Sequence, residues 1–279
     1  MTEDAAPRNR AGRNLPAAIG SGVVLGVLVL VSLLWVKWLF GVLAGIVLLI
    51  ALRELVGAFA QRDIRLARTP LYLAIPVAMS AAYLWGPTAL VFIIGLAFVV
   101  ILFWRLRRGT DGYVRDASAS VFVLAYLPLM AGFVMLMLAA DDGPARIVTF
   151  IVLTIGNDIG GYATGVLFGR HPMAPQISPK KSWEGFAGSL VVQSLLGIGL
   201  FIWLLDAPWW QGLIMGASLT VTATAGDLAE SAVKRDLGVK DMGTMLPGHG
   251  GIMDRLDSLV INAFAAWALF AVFLGPPLF

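Results

Sequence analysis

The residues whose types and spacing suit chemistry are concentrated in one polar stretch near the C-terminus, residues 226–258. Within this stretch, two sets of polar side chains recur at intervals of three and four positions. Residues at these intervals share one face of a helix, so each set predicts a polar helix face. The first set, on a helix that continues past the preceding apolar segment, is Asp227, Glu230, Ser231 and Lys234, and the second, at the start of the next helix, is Asp254, Asp257 and Ser258.

A glycine-rich segment, Pro247-Gly248-His249-Gly250-Gly251, lies between the two sets. It cannot form a regular helix, and it leaves backbone N–H groups exposed. Carboxylate oxygens suit magnesium, and lysine and arginine suit phosphates. The alternative is a charged surface loop whose acids and bases pair with each other, which would explain the composition but not the glycines. The stretch therefore predicts a site for magnesium and phosphate groups.

Charged residues also interrupt two of the apolar segments, where a charge is costly and usually marks function. Arg53 and Glu54 lie near the end of one segment, and the simplest interpretation is an arginine that extends to the surface with a neighbouring carboxylate. Asp158 lies midway along another segment. Its neighbouring glycines permit close helix approach but do not explain a carboxylate at that depth. A water-filled cavity would explain it, and the alternative is a structural polar contact between helices.

Two adjacent lysines, Lys180 and Lys181, follow Pro179 and precede Ser182. Paired lysines at a membrane surface often serve only to set topology. Here the proline bars helix before the pair, and Ser182 is a suitable N-cap for the helix that follows. Cations and free backbone amides at a helix start favour an anion, so a phosphate contact is the second interpretation.

The composition places this site in a membrane protein. Of the 279 residues, 59% are hydrophobic and 13% are charged, and the mean hydropathy is +0.85. A soluble domain is roughly half apolar and a quarter charged, so the excess apolar surface must face lipid. The net charge of +3 fits basic loops on an anionic leaflet better than it fits nucleic acid. The absence of cysteine from the sequence excludes a thiolate metal site and a cysteine nucleophile.

Apolar segments long enough to cross a membrane, about 20 residues each, recur along the chain. The third is short, and the fourth follows it at once after Gly86, which predicts a tight hairpin. The sequence thus predicts an all-α, polytopic integral membrane protein with about nine transmembrane helices. The predicted segments are Pro16–Trp35, Trp38–Ala60, Leu71–Trp85, Pro87–Trp104, Ala117–Ala139, Ile147–Phe168, Gly185–Leu205, Trp209–Asp227 and Leu256–Leu274.

Lysine and arginine positions predict the orientation of these segments. The N-terminal tail and every second connection are basic, and the intervening connections hold only Lys37 and Arg146. Because cytoplasmic loops carry the excess of basic residues, the N-terminus is predicted to be cytoplasmic and the C-terminus external. Residues 1–14 are expected to form a disordered cytoplasmic tail, and residues 15–279 a single transmembrane domain whose catalytic region lies within 157–258.

The polar stretch resembles a known family. From Ser231 to Asp257 it matches the signature of the phosphatidate cytidylyltransferase family at every fixed position, and the residues from Asp158 to Gly185 are similar to the same family. Ile159 and Ser182 depart from it, since threonine is common at both positions. The signature positions are Ser231, Val233, Lys234, Arg235, Lys240, Asp241, Gly243, Leu246, Pro247, His249, Gly250, Gly251, Ile252, Asp254, Arg255, Leu256 and Asp257.

The resemblance implies a reaction in which CTP and phosphatidic acid give CDP-diacylglycerol and pyrophosphate. It also implies a multi-pass protein of the bacterial inner membrane, with its active site facing the cytoplasm. Magnesium is the implied cofactor, potassium is a possible second cation, and a homodimer is the implied assembly. No nucleic-acid partner is expected.

Site roles follow from combining the resemblance with the spacing. Asp227 and Asp254 are expected to be the principal magnesium ligands, because they head the two facing carboxylate helices. Further ligands or orienting groups are Glu230, Asp257 and Asp158. The expected phosphate and substrate contacts are Lys234, Arg235, Lys240, Arg255, Ser178, Lys180, Lys181, Gly250 and Gly251, and His249 either joins them or caps the glycine loop. The expected catalytic set is Asp227, Asp254, Lys234, Lys240 and Arg255.

Two other functions compete with this one. A CTP-dependent lipid kinase, acting on a polyprenol or similar alcohol, would need a general base for the hydroxyl, and the full signature argues against it. A transporter would place its acids near the membrane midplane, between paired repeats. Here the acids gather towards one face, and the sequence contains no evident repeat. The enzyme interpretation also requires Asp158 and the Lys180–Lys181 connection to converge on residues 226–258.

Overall fold

The structure is a computed structural model that describes residues 26–33, 35–243 and 250–275. Most of the predicted first segment, the tail 1–14 and the predicted contact residue His249 lie outside these ranges. The helices are α1 (described residues 26–33), α2 (Lys37–Ala60), α3 (Arg68–Leu106), α4 (Tyr113–Leu124), α5 (Met130–Ala139), α6 (Gly143–Phe168), α7 (Trp183–Trp203), α8 (Trp209–Leu237) and α9 (Asp257–Phe273). A π-helical turn, Ala125–Leu129, joins α4 to α5, and a 3-10 turn, Met253–Arg255, precedes α9.

The architecture is that of a helical membrane protein, as predicted. Within the described residues, six helices are long and apolar enough to cross a membrane, with α4 and α5 counted as one through the π turn. The α9 helix is apolar but shorter, at 17 residues. The count of nine transmembrane helices stays a prediction. One small element was not predicted: β1 (Pro172–Ala174) and β2 (Ser178–Ser182) form an antiparallel two-stranded sheet between α6 and α7.

The α3 helix contains two of the predicted segments. Gly86 interrupts it with φ 80° and ψ −166°, a conformation that glycine adopts without steric cost. Asp116 shows that the chain reverses there, because it accepts hydrogen bonds from the Arg65 amide (3.1 Å) before α3 and from Arg105 Nε (2.9 Å) at its end. The two ends of α3 therefore lie together, and the predicted hairpin is confirmed.

The basic connections lie at one end of the helices. Arg62, after α2, donates from Nε to the Leu237 carbonyl at the end of α8 (3.0 Å). Arg115, at the start of α4, donates to the Asp63 carbonyl (2.7 Å), and Arg235 donates from Nε to Ile177 in the hairpin region (3.4 Å). These contacts link four connections that the charge pattern assigns to the same side. Which side of the membrane they face stays a prediction.

Side-chain hydrogen bonds join the three helices that carry most of the predicted site. Thr222 of α8 donates to Asn262 Oδ1 of α9 (2.5 Å), and Asn262 Nδ2 donates to Thr154 Oγ1 of α6 (3.2 Å). Buried polar groups of this kind hold membrane helices together, since lipid offers them no partner. The α7 helix is fixed to the same unit because Ser189 donates to the Asn157 carbonyl (2.7 Å).

Candidate active site

A polar cavity opens between α6, α7, α8 and the β1–β2 hairpin. Asp158 lines this cavity together with Asn157, which donates from Nδ2 to the Asp158 carboxylate (3.3 Å). The cavity explains how an apolar helix accommodates a carboxylate, as the sequence predicted. The other polar or charged side chains that line it are Tyr162, Lys180, Lys181, Ser182, Ser189, Thr224 and Asp227.

The hairpin brings Lys181 to α8, where its Nζ pairs with Asp227 Oδ2. Ser182 caps α7 as predicted, by accepting a hydrogen bond from the Gly185 amide (3.1 Å). Glu184 fastens the start of the hairpin, because its carboxylate accepts from the amides of Arg170 (3.1 Å) and His171 (3.2 Å). The predicted convergence of Asp158 and Lys181 on Asp227 is therefore present.

Asp227 and Asp257 lie close enough for their carboxyl groups to interact, and the Asp227 charge also acts on Asp158. Two carboxylates at such a separation repel each other unless a proton or a cation lies between them. Nowhere in the described residues do three His, Asp or Glu side chains converge as a metal site would require. Magnesium, however, is usually held by one or two carboxylates with water and substrate phosphates, so an oxygen-only pair beside an open cavity fits it.

A second cluster lies one turn further along α8. Lys234 Nζ donates to Glu230 Oε1 (3.1 Å) and to Asp254 Oδ1 (3.0 Å), and these three side chains are largely buried. Tyr126, from the π turn, donates its hydroxyl to Glu230 Oε2 (3.4 Å). The α8 helix runs on to Leu237, which confirms the predicted continuation past the apolar segment. That continuation places Asp227, Glu230 and Lys234 on successive turns.

Asp254 does not lie where the spacing predicted. The helix α9 begins only at Asp257, so Asp254 and Asp257 do not share a helical face, and that prediction was wrong. Asp254 instead occupies the 3-10 turn, and its carboxylate accepts from the amides of Gly251 (2.8 Å) and Met242 (2.9 Å) as well as from Lys234. The glycine-rich connection leaves amides without helical partners, and the carboxylate satisfies two of them.

Other predicted residues stand at the edges of this arrangement. Arg255 lies close enough to Asp158 for its charge to act there. Lys240 is exposed and makes no hydrogen bond to a described residue. Gly250, with φ 80°, packs against Asp254, since a Cβ there would come within 3.1 Å of Oδ2. Ser178 and Arg235 lie outside the cavity lining, and Gly251 contributes an amide to Asp254.

Glu54 is a contact residue that sequence reasoning missed. Its Oε2 accepts a hydrogen bond from the Met253 amide at 2.8 Å, so it reaches the turn that carries Asp254. Arg53 is exposed, and in the described residues it forms no ion pair with Glu54. Arg53 is thus exposed, as the simplest interpretation describes, whereas Glu54 makes a contact with the Met253 amide that this interpretation did not include. The available signal was the helical face that Glu54 shares with Ala51 and Ala58, which lie three positions before and four positions after it and are both buried.

Known proteins are similar to this chain over about three quarters or more of its length. The chain is 39% identical over 276 residues to the phosphatidate cytidylyltransferase of Mycobacterium leprae, covering 93% of this chain and 88% of the relative. It is 38% identical over 278 residues to that of Mycobacterium bovis, with 95% and 91% covered, and 32% identical over 216 residues to that of Helicobacter pylori, with 74% and 77% covered. The sequence model of the cytidylyltransferase family matches residues 16–273. The chain therefore belongs to the cytidylyltransferase family.

Proposed function

We propose that the protein is a CTP:phosphatidate cytidylyltransferase, which makes CDP-diacylglycerol and pyrophosphate from CTP and phosphatidic acid. The observation that carries the proposal is that Lys181 pairs with Asp227 at a polar cavity also lined by Asp158, within a helical membrane protein of this family. Asp257 lies close enough to Asp227 for the two carboxyl groups to interact. We further propose an inner-membrane location with the site facing the cytoplasm, and assembly as a homodimer.

The proposed reaction needs no general base. A phosphate oxygen of phosphatidic acid, already anionic at neutral pH, forms a bond to the α-phosphorus of CTP. The bond from that phosphorus to the bridging oxygen breaks, and pyrophosphate leaves with the electron pair. The difficulty is to bring two polyanions together and to stabilise the leaving charge, which calls for positioning and electrostatic stabilisation. A site rich in cations and carboxylates suits this task.

The residues divide this work by their positions. Asp227 and Asp257 would hold magnesium, which supplies charge neutralisation at the phosphates when bound, and Asp158 would orient that site from α6. A potassium ion is a second proposed cation. Lys180 and Lys181 line the cavity from the hairpin and would hold phosphate oxygens. Since its carboxylate already accepts from two amides and Lys234, Asp254 would act by fixing the connection.

The lipid substrate also needs a place for its acyl chains. An apolar cavity lies between α1, α2, α5, α6 and α9. Its lining includes Ala131 of α5, Phe150 of α6 and Ala263 of α9, together with Leu256, which directly precedes the first residue of α9, Asp257. The proposal places one chain in this cavity, with the headgroup near the start of α9.

A labelling experiment separates this function from the competing lipid kinase. The purified protein, in vesicles that contain both phosphatidic acid and a polyprenol, is given magnesium and CTP labelled either in cytidine or in the terminal phosphate. The cytidine label is expected in the lipid fraction and the terminal phosphate in pyrophosphate. Transfer of the terminal phosphate to a polyprenol, with cytidine left in solution, would refute the proposal.

A further inference from the structure

Glu54 lies six residues before the end of α2 and is separated by 199 positions in the sequence from Met253, the residue it contacts. Its Oε2 accepts from the Met253 amide at 2.8 Å, and Met253 is the first residue of the 3-10 turn that carries Asp254. Amides at the start of a helical turn lack partners within the turn, so Glu54 supplies the cap from another helix.

Two glycines pack directly against the Glu54 carboxyl group. A Cβ added at Gly251 would come within 2.8 Å of Glu54 Cδ, and one added at Gly243 within 2.7 Å of Glu54 Cγ. Neither position has room for a side chain while Glu54 keeps its place. One carboxyl group thus contacts the chain both before and after residues 244–249.

These contacts lead on to the proposed site. Asp254 follows Met253, accepts from the Gly251 amide (2.8 Å), and pairs with Lys234 of α8 (3.0 Å). Asp257, which faces Asp227, starts α9 three residues further on. A shift of the turn at Met253 would therefore move the groups that face α8.

The second carboxylate oxygen of Glu54, Oε1, is buried, and none of the described residues donates to it. The carboxyl group therefore faces the interior at the 3-10 turn rather than extending to solvent. Its hydrogen bond to the Met253 amide and its two contacts with glycines together argue against a role in packing alone.

We propose that Glu54 is a positioning residue for cytidylyl transfer: as an acceptor for the Met253 amide, it holds the turn that aims Asp254 and Asp257 at α8. The expected effect on catalysis rests on the proposed function, whereas the hydrogen bond between Glu54 and the turn does not.

Kinetics of three variants test the catalytic consequence. Glu54→Gln keeps an oxygen acceptor and is expected to retain kcat within about threefold of wild type. Glu54→Ala removes the acceptor, and since a displacement of about 1 Å can cost on the order of 10²-fold, kcat is expected to fall by roughly 10- to 100-fold. The KM for CTP is expected to change by less than kcat. Arg53→Gln, at the exposed neighbouring position, is the matched control and is expected to match wild type.

Hydrogen–deuterium exchange in nanodiscs tests the structural tie without relying on activity. In Glu54→Ala, faster exchange is expected in residues 250–256, with the apolar helices unchanged, and Glu54→Gln is expected to exchange like wild type. Wild-type kcat and exchange in Glu54→Ala would overturn the proposal. Equal loss of kcat in Gln and Ala variants would also overturn it, as would faster exchange throughout the protein. If the exchange result is as expected but wild-type protein makes no CDP-diacylglycerol, the proposed function fails and the tie stands.

Discussion

Lys234 is the only cation that the structure pairs with Glu230 and Asp254 among the described residues, and only 14% of its side chain is exposed. The substitution Lys234→Met roughly keeps the length of the side chain but removes its charge. Glu230 and Asp254, whose side chains are only 1% and 8% exposed, then lose their cationic partner. Removing one partner of a buried ion pair costs about 3–5 kcal/mol, because an uncompensated charge remains. Asp254 keeps its two backbone amides, so most of this cost is expected to fall on Glu230.

A loss of about 3–5 kcal/mol corresponds to a lower unfolding midpoint by on the order of 10 °C for a chain of this size. The assay is thermal unfolding of purified protein in detergent, with wild type and variants at the same lipid content. Glu230→Gln combined with Lys234→Met removes the orphaned charge, and the pair is expected to show an interaction energy of about 0.5–3 kcal/mol. The exposed Lys240→Met serves as the control and is expected to stay within about 0.5 kcal/mol of wild type.

The reasoning is refuted if Lys234→Met unfolds at the wild-type temperature. It is also refuted if the effects of Lys234→Met and Glu230→Gln add without interaction, because the structure places their charged atoms 3.1 Å apart. Activity is measured in parallel at a temperature well below both midpoints. Lost stability with retained activity would assign Lys234 to the framework, and lost activity in the folded variant would assign it also to the reaction.

Three further predictions concern the proposed site. Asp257→Asn and Asp227→Asn are each expected to lower CTP-dependent CDP-diacylglycerol formation by on the order of 10²-fold, because each removes a proposed magnesium ligand. Each is also expected to raise the magnesium concentration that gives the half-maximal rate. A wild-type magnesium response in either variant would remove that residue from metal binding. Lys181→Ala is expected to raise the KM for CTP or phosphatidic acid by roughly 10-fold, the effect of losing one charge-assisted phosphate contact, and unchanged steady-state kinetics would reduce it to a topology determinant. Ala263→Phe, which narrows the apolar cavity, is expected to slow the reaction with long-chain phosphatidic acid but not with a dioctanoyl substrate. Val91→Phe, at an exposed position outside the cavity, is the control. An equal loss of rate on both substrates would count against the cavity as the acyl-chain site.

Features that depend on neighbouring residues were predictable from the sequence. The Ser182 cap requires only a serine before the first turn of α7, and the extension of α8 follows from polar residues at intervals of three and four. The reversal at Gly86 was readable because glycine and proline together interrupt a long apolar run. In each case the physical cause lies within a few residues of its effect.

Features that depend on distant partners were not predictable in this way. Asp254 has the spacing from Asp257 that a shared helix would give. However, the amides of Met242 and Gly251 both donate to its carboxylate and hold it in a separate turn. Glu54 gains its role from Met253, which no periodicity connects to it. The number of membrane crossings does not follow from the sequence alone, because a segment such as α9 is apolar but short.

The hydrogen bonds that join Thr222, Asn262 and Thr154 have a mechanical consequence. A membrane helix responds to a thicker or thinner bilayer by tilting, and separate helices tilt separately. Because α6, α8 and α9 are fastened to each other by buried polar groups, they must tilt as one body. Asp158, Asp227 and Asp257, one from each helix, then keep their mutual distances while the surrounding lipid changes. Adaptation to different membranes can thus take place at the lipid-facing helices, without retuning the carboxylates.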